Sequence, residues 1–127
     1  MGLEFGIWDV DLSMADCLFC TIISGAIPAT LVHQDDDLIA FRDINPQAPL
    51  HVLIVPKRHI ATLNDLEPGD DALVGSMFRR AAALAQAHGY HERGYRTVFN
   101  CNREAGQTVF HVHLHLLAGR GLGWPPG

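Results

Sequence analysis

Thr108-Val-Phe-His-Val-His-Leu-His-Leu-Leu-Ala-Gly-Arg-Gly121 sets histidine at every second position, His111, His113 and His115, with Val112 and Leu114 between them. Alternation of polar and apolar residues over this length reads as a half-buried β-strand, because successive side chains of a strand point to opposite faces. The pattern predicts a strand over 109–117, with Val112, Leu114 and Leu116 on a core and the three histidines on the other face. At a rise of about 3.3 Å per residue, neighbouring histidines stand roughly 7 Å apart and the outer pair about 13 Å. That is too wide for one metal ion held by all three from a straight strand. The spacing suits histidines with different tasks.

The rest of the chain bounds what those tasks can be. Its 127 residues suit one domain with a real core, and 48% hydrophobic against 18% charged residues is a globular composition. The formal net charge is −5, Lys57 is the sole lysine, and no basic stripe is present, which argues against a nucleic-acid partner. No apolar run is long enough to span a bilayer, so no membrane partner is expected. Residues 1–13, MGLEFGIWDVDLS, lack the positive start and long apolar stretch of a secretory signal. They read as an extension outside the domain, which is expected to occupy 14–127. Discounting Glu4, Asp9 and Asp11 leaves 11 acidic against 9 basic residues, so the acidity carries little weight. An odd set of cysteines, Cys17, Cys20 and Cys101, with no signal peptide, points to a reducing, cytoplasmic setting.

Working outward from the histidine strand, 16–25 reads as a short helix with Asp16 as N-cap and Gly25 past its end. Two short strands, 31–34 and 38–42, flank Asp35-Asp36-Asp37, a solvated hairpin turn. Residues 51–55 form a central strand after a loop held by Pro46 and Pro49. The longest helix is expected over 70–88, where Leu73, Val74, Met77, Phe78, Ala81, Leu84 and Ala85 recur at helical spacing and pack the core. A further strand covers 95–100, then a turn-rich loop, 102–106, leads to the histidine strand. Short strands around one long helix predict an α+β fold with an antiparallel sheet. His33, His88 and His91 have no partner pattern and read as surface residues.

Asn100 and Gly106-Gln107-Thr108 border the histidine face. Glycine lets backbone approach a ligand closely, and successive N–H groups in such a turn can form an anion nest. Histidines beside anion-directed donors suit phosphoryl or nucleotidyl transfer, with a neutral imidazole as nucleophile and a neighbouring histidine near pKa 6.5 as proton donor. That chemistry requires no catalytic metal.

The residues that carry this reading resemble the histidine triad (HIT) superfamily. His111-Val-His-Leu-His-Leu-Leu117 matches its signature of three histidines separated by apolar residues. The resemblance runs from about Met14 to the end of the chain and includes Asp43-Ile44, Pro46-Gln-Ala-Pro49, His51, Ile54-Val-Pro-Lys57, His59 and Ala105-Gly-Gln107. The ending Trp124-Pro-Pro-Gly127 resembles the Hint branch, the histidine triad nucleotide-binding proteins. The resemblance implies a five-stranded antiparallel sheet with one long and one short helix, dimerising into a ten-stranded sheet. It implies a purine nucleotide substrate: hydrolysis of purine nucleoside phosphoramidates, such as adenosine 5′-phosphoramidate, through a nucleotidyl-histidine intermediate. By resemblance His113 is the nucleophile, His115 contacts phosphate and handles the proton, and His51 stands beside the nucleophile. Thr108 takes a position usually held by serine, adding a methyl. Asp43 would bind ribose, and Phe19, Ile22, Ile27, Phe41 and Ile44 would wall the purine pocket. Asn100, Gly106 and Gln107 would line the phosphate side, and Trp124 would reach toward the partner subunit's site in a homodimer.

Cys17-Leu-Phe-Cys20 is a CxxC outside any thioredoxin-like context. Some bacterial HIT proteins bind zinc through such a pair with the histidine ending Pro-Lys-x-His and the first triad histidine, here Cys17, Cys20, His59 and His111. The alternative is two reduced cysteines packed as small apolar groups. Two other functions stay open: a dinucleoside polyphosphate hydrolase, and a nucleotide-binding regulatory module with vestigial turnover.

Overall fold

The structure, a computed structural model, describes residues 16–127; the extension expected over 1–13 lies outside the described residues. Five strands, β1 (Leu31–Gln34), β2 (Leu38–Arg42), β3 (Leu50–Pro56), β4 (Tyr95–Phe99) and β5 (Leu114–Ala118), form one sheet of order β1-β2-β3-β5-β4. All four pairings are antiparallel. The helices are α1 (Leu18–Ile23), α2 (Asp71–Ala87) and a single turn, α3 (Asn102–Ala105).

The β1–β2 reversal is built by Asp35, whose carboxylate accepts from the amides of Asp37 and Leu38 at 2.8 Å each. The aspartate trio is thus a turn, as its composition indicated. The other oxygen of Asp35 takes His33 Nε2 at 2.7 Å, so His33 is half-buried and partnered rather than a free surface residue.

α2 lies across one face of the sheet. Its apolar stripe, Met77, Ala81, Leu84 and Ala85, packs on Leu38, Ala40, Val52, Ile54, Leu114 and Leu116. The opposite face is covered by α1 and its loop, where Cys17 and Phe19 pack on Ile39, Phe41, Leu53 and Val55. Adjacent residues of β2 and β3 therefore feed two different cores. β3 is consequently buried along its whole length, which explains its nearly continuous apolar sequence.

Four expectations need correction. The histidine strand is shorter than 109–117: regular pairing begins at Leu114, and residues 109–113 are an irregular lead-in anchored by Val112 N donating to Ile60 O at 2.7 Å. From His111 to Leu114 neither side faces water, since His111 is 0% exposed and His113 8% while Val112 and Leu114 are also buried; Phe110, just before, is exposed. Alternation reports two chemically different environments here, not core against solvent. Second, α1 is capped by Cys17, whose Sγ accepts from Cys20 N, and not by Asp16. Third, 102–106 contains the helical turn α3, adding a third helix to the long and short pair expected. Fourth, Phe78 is exposed and meets only the edge of Phe99, because it sits off the buried stripe of α2.

Candidate active site

β3 and β5 pair with Leu53 opposite His115 and His51 opposite Leu117. Residues two apart share a strand face, so His51 and His115 meet diagonally on the α1 side of the sheet. His51 Nε2 lies 2.9 Å from His115 Nδ1, and 3.4 Å from Asp43 Oδ2. Asp43 is held at the end of β2 by its own turn, with Oδ1 accepting from Asn45 N at 2.9 Å.

The hydrogen bonds fix which nitrogen carries each proton. His51 Nδ1 accepts from the Gln47 amide at 3.0 Å, so its Nε2 is the N–H that donates to His115 Nδ1. His115 is left with its proton on Nε2. His113 is the reverse: Nδ1 donates to the His111 carbonyl at 2.8 Å, which leaves a lone pair on Nε2. Two rings with centroids 5.0 Å apart, both lining one pocket, thus offer opposite valence at Nε2, a nucleophile on His113 and a donor on His115.

Burial keeps these imidazoles neutral. It lowers the pKa of His113 against the opposing pull of its bond to the His111 carbonyl and of the Asp43 charge. His51 is lowered by burial as well, with Asp43 opposing. His115 is pushed down to about 4, first by burial and then by the neighbouring His113 and His51. The expectation of a proton donor near 6.5 is corrected for the ligand-free site; an anionic phosphate beside His115 would raise its pKa again.

The pocket beside the histidines has a volume of about 370 Å³, within the range of small-molecule sites. Phe19, Ile22, Ile27 and Phe41 line it with Asp43 and Ile44 at one side, and Asn100, Gly106 and Thr108 at the other. Ile44 is 99% exposed, so it stands as a lip rather than a wall. Sequence reasoning missed Leu18, Pro28, Ala29, Arg42, Leu53 and Val109, which also line it. Leu53 was findable, being two residues from His51 and so on the same face. Pro28 and Ala29 carry no local sign of their role. Arg42, the cation of the lining, was hidden at the end of an apolar strand.

Three sequence-predicted residues do not line the pocket of this chain: His51 reaches it only through His115, and Trp124 and Gln107 lie away from it. Trp124 is 83% exposed on a tail tied to β4 by Arg96 donating to Gly123 O at 2.9 Å. Gln107 is buried, and its side chain is spent on scaffold: Oε1 accepts from Asn102 N at 2.8 Å, and Nε2 donates to Ala61 O at 2.8 Å and Val109 O at 3.1 Å. Gln107→Ala is expected to lower stability by about 1–2 kcal/mol, because it removes three hydrogen bonds to part-buried backbone groups; denaturant melts check this. The expected anion nest is not formed by the amides of Gly106 and Gln107, which donate to Arg103 O and Asn102 O. Gly106 closes α3 at φ 93°, a conformation that glycine adopts freely.

Behind the pocket, donor atoms of Cys17, Cys20, His59 and His111 all lie within 4.8 Å of one another. Sγ of Cys17 is 3.3 Å from His111 Nδ1, and Sγ of Cys20 is 3.4 Å from His59 Nδ1 and 3.6 Å from His111 Nδ1. A tetrahedral zinc with Zn–S of about 2.3 Å and Zn–N of about 2.0–2.1 Å has S···N edges of about 3.5 Å. His111 Nε2 donates to Pro56 O at 2.7 Å, so Nδ1 carries the lone pair. Cys20 Sγ stands within reach of both His59 and His111, and a metal at the centre of the four donor atoms would engage all of them at once. The donor set therefore fits zinc in kind, number and spacing.

A model of the HIT domain matches residues 24–122. The chain belongs to the HIT domain family. A purine nucleoside phosphoramidase of Escherichia coli K12 is 47% identical over 108 residues, covering 85% of this chain and 91% of that protein. An uncharacterized HIT-like protein of Synechococcus elongatus is 48% identical over 112 residues, 88% of this chain and 97% of that one. Among solved structures, a HIT family hydrolase from Legionella pneumophila superposes with a TM-score of 0.87 at 57% identity, covering 88% of this HIT chain and 100% of that one. A histidine triad protein from Clostridium difficile superposes with a TM-score of 0.82 at 41% identity, over 85% and 94%. These HIT neighbours share the five-stranded antiparallel sheet and long helix described above.

Proposed function

We propose that the chain hydrolyses purine nucleoside phosphoramidates through a nucleotidyl-histidine on His113. The observation that carries this reading is the opposite valence of His113 and His115 at Nε2 in one pocket. The name of the Escherichia coli relative supports the substrate class.

His113 Nε2 attacks phosphorus, and the P–N bond breaks. Substrate phosphate raises the pKa of His115, so that it enters the step protonated and gives its Nε2 proton to the leaving nitrogen. Water then attacks the nucleotidyl-histidine with neutral His115 as base, releasing AMP and regenerating His113. His51 supports this by standing against His115 Nδ1 and fixing the ring's position, and Asp43 biases the pair toward positive charge. Asp43 also takes the ribose hydroxyls, Thr108 contacts the phosphoryl group or the leaving amine, and Phe19, Ile22, Ile27, Phe41 and Ile44 hold the purine. Asn100 and Gly106 flank the phosphate, with Gln107 bracing their loop.

The active form is a homodimer in which Trp124 reaches the partner's site, and sedimentation should give twice the 13.9 kDa of one chain. Cys17, Cys20, His59 and His111 would hold a zinc ion, which would supply structural cross-linking.

The test is AMP release from adenosine 5′-phosphoramidate by the purified protein, set against a dinucleoside polyphosphate. Preferential cleavage of the phosphoramidate supports the reading. Preference for the polyphosphate replaces it with the sister activity, and AMP binding without turnover of either replaces it with a binding module.

A further inference from the structure

Helix α1 serves two sites at once. Cys17 and Cys20 face the four-donor cluster, while Leu18, Phe19 and Ile22 of the same short element line the pocket. At six residues α1 cannot hold helical form by itself. Its cap is the Cys17 sulfur, a group of the cluster, and its polar ties to the sheet side run through Cys17 and Cys20 to His59 and His111. Cysteine is an unusual cap, and its sulfur accepts more strongly as a metal-bound thiolate than as a thiol.

Two routes lead from the cluster to the reacting histidine. One is Phe19, which stands between: its ring meets His113 edge-on at 4.9 Å and 90°, Phe41 at 5.5 Å and His111 at 6.0 Å. The other is the His111 carbonyl that fixes the Nδ1 proton of His113. Without a metal, α1 is tied to these histidines by weak sulfur–imidazole contacts alone, Cys17 to His111 and Cys20 to His59, and thiols are weak hydrogen-bond donors. With four donors on one ion, α1 and His111 are locked together, and so is the pocket wall.

We propose that zinc in the Cys17–Cys20–His59–His111 cluster and a purine nucleotide in the pocket bind cooperatively, with α1 as the shared element and Phe19 as the link. The inference rests on the proposed nucleotide reading of the pocket. Coupling of this kind is reciprocal: whatever factor zinc adds to nucleotide affinity, the nucleotide adds to zinc affinity. The expected factor is about 10-fold.

The test uses the zinc-loaded full chain. Zinc transfer to a chromophoric chelator is titrated with and without saturating AMP, in wild type and in Phe19→Leu, and AMP affinity is measured separately by calorimetry. Expected results are a roughly 10-fold higher chelator requirement with AMP in wild type, and a shift below about twofold in Phe19→Leu; because Phe19 lines the pocket, the variant's AMP affinity is expected to fall, and each protein is compared at the AMP concentration that calorimetry shows to saturate it. AMP binding with no shift in wild type overturns the coupling and leaves the proposed function standing. Equal shifts in both proteins also overturn it, because that outcome means zinc and AMP merely stabilise the whole fold. Failure to hold zinc overturns it outright. Failure to bind AMP overturns the nucleotide reading and the coupling together, and calorimetry tells that case apart.

Discussion

His113→Ala is expected to lower kcat for adenosine 5′-phosphoramidate by about ten-thousandfold or more, while AMP affinity stays within a few-fold of wild type. In the proposed reaction the ring supplies the bond to phosphorus, and its neighbouring histidines and Asp43 are poorly placed to replace it. His115 offers an N–H where a lone pair is needed, His51 is turned away into Gln47 and His115, and Asp43 is committed to the Asn45 amide on one oxygen. Most of the binding surface survives the substitution, because Phe41, Ile22, Ile27 and Asp43 do not depend on the imidazole. Single-turnover assays with labelled substrate check both halves: wild type should trap a nucleotidyl-protein on denaturation, and the variant should not. A variant that retains a tenth of wild-type kcat sinks the nucleophile assignment. A variant that loses AMP binding as well reassigns His113 to positioning.

The second large effect is on acid stability. His51, His113 and His115 all have pKa values below the ordinary histidine value of 6.5, His115 at about 4. Above pH 6.5 these histidines are neutral folded and unfolded, and their contribution is fully present. Between 6.5 and about 4 the unfolded chain takes up protons that the buried rings refuse, so stability falls as pH falls. His115 alone can contribute a slope on the order of 1 kcal/mol per pH unit. Losses from carboxylates belong lower, as with Asp35, whose pKa is held at about 2 by His33 and the Asp37 amide. Urea midpoints from pH 7 to 4.5 measure the slope, and His115→Gln should flatten it. A wild-type profile that is level across that window contradicts neutral burial of the triad.

Much of this was readable from the chain because each feature is local. Hairpin chemistry at Asp35, the helical stripe through Met77, Ala81 and Leu84, and the apolar run of β3 each specify their element within a few residues. The residues around the pocket were legible for a different reason: a histidine or aspartate with a chemical task stands out against an apolar background, as His51 does in Leu50–Pro56. Misreadings arose where the outcome depended on distant neighbours. Gln107 reads as a ligand-facing amide until Ala61 and Asn102 are seen to claim it. Phe78 fits the helical stripe by spacing, but it stays exposed beside the α2 residues that pack on the sheet.

By itself, the sequence determined the five strands and the two longer helices in outline, the antiparallel class and the identity of the histidines, since periodicity and residue type act over short range. Tertiary structure alone decided the division of labour among them. His111, His113 and His115 are equivalent in the alternating pattern. They become a cluster residue, a lone-pair bearer and a proton bearer only through Pro56 O, the His111 carbonyl and His51, partners set by strand register and by α1 closing over the sheet. Proton position and pKa follow from such partners and from burial, and both are properties of the folded arrangement.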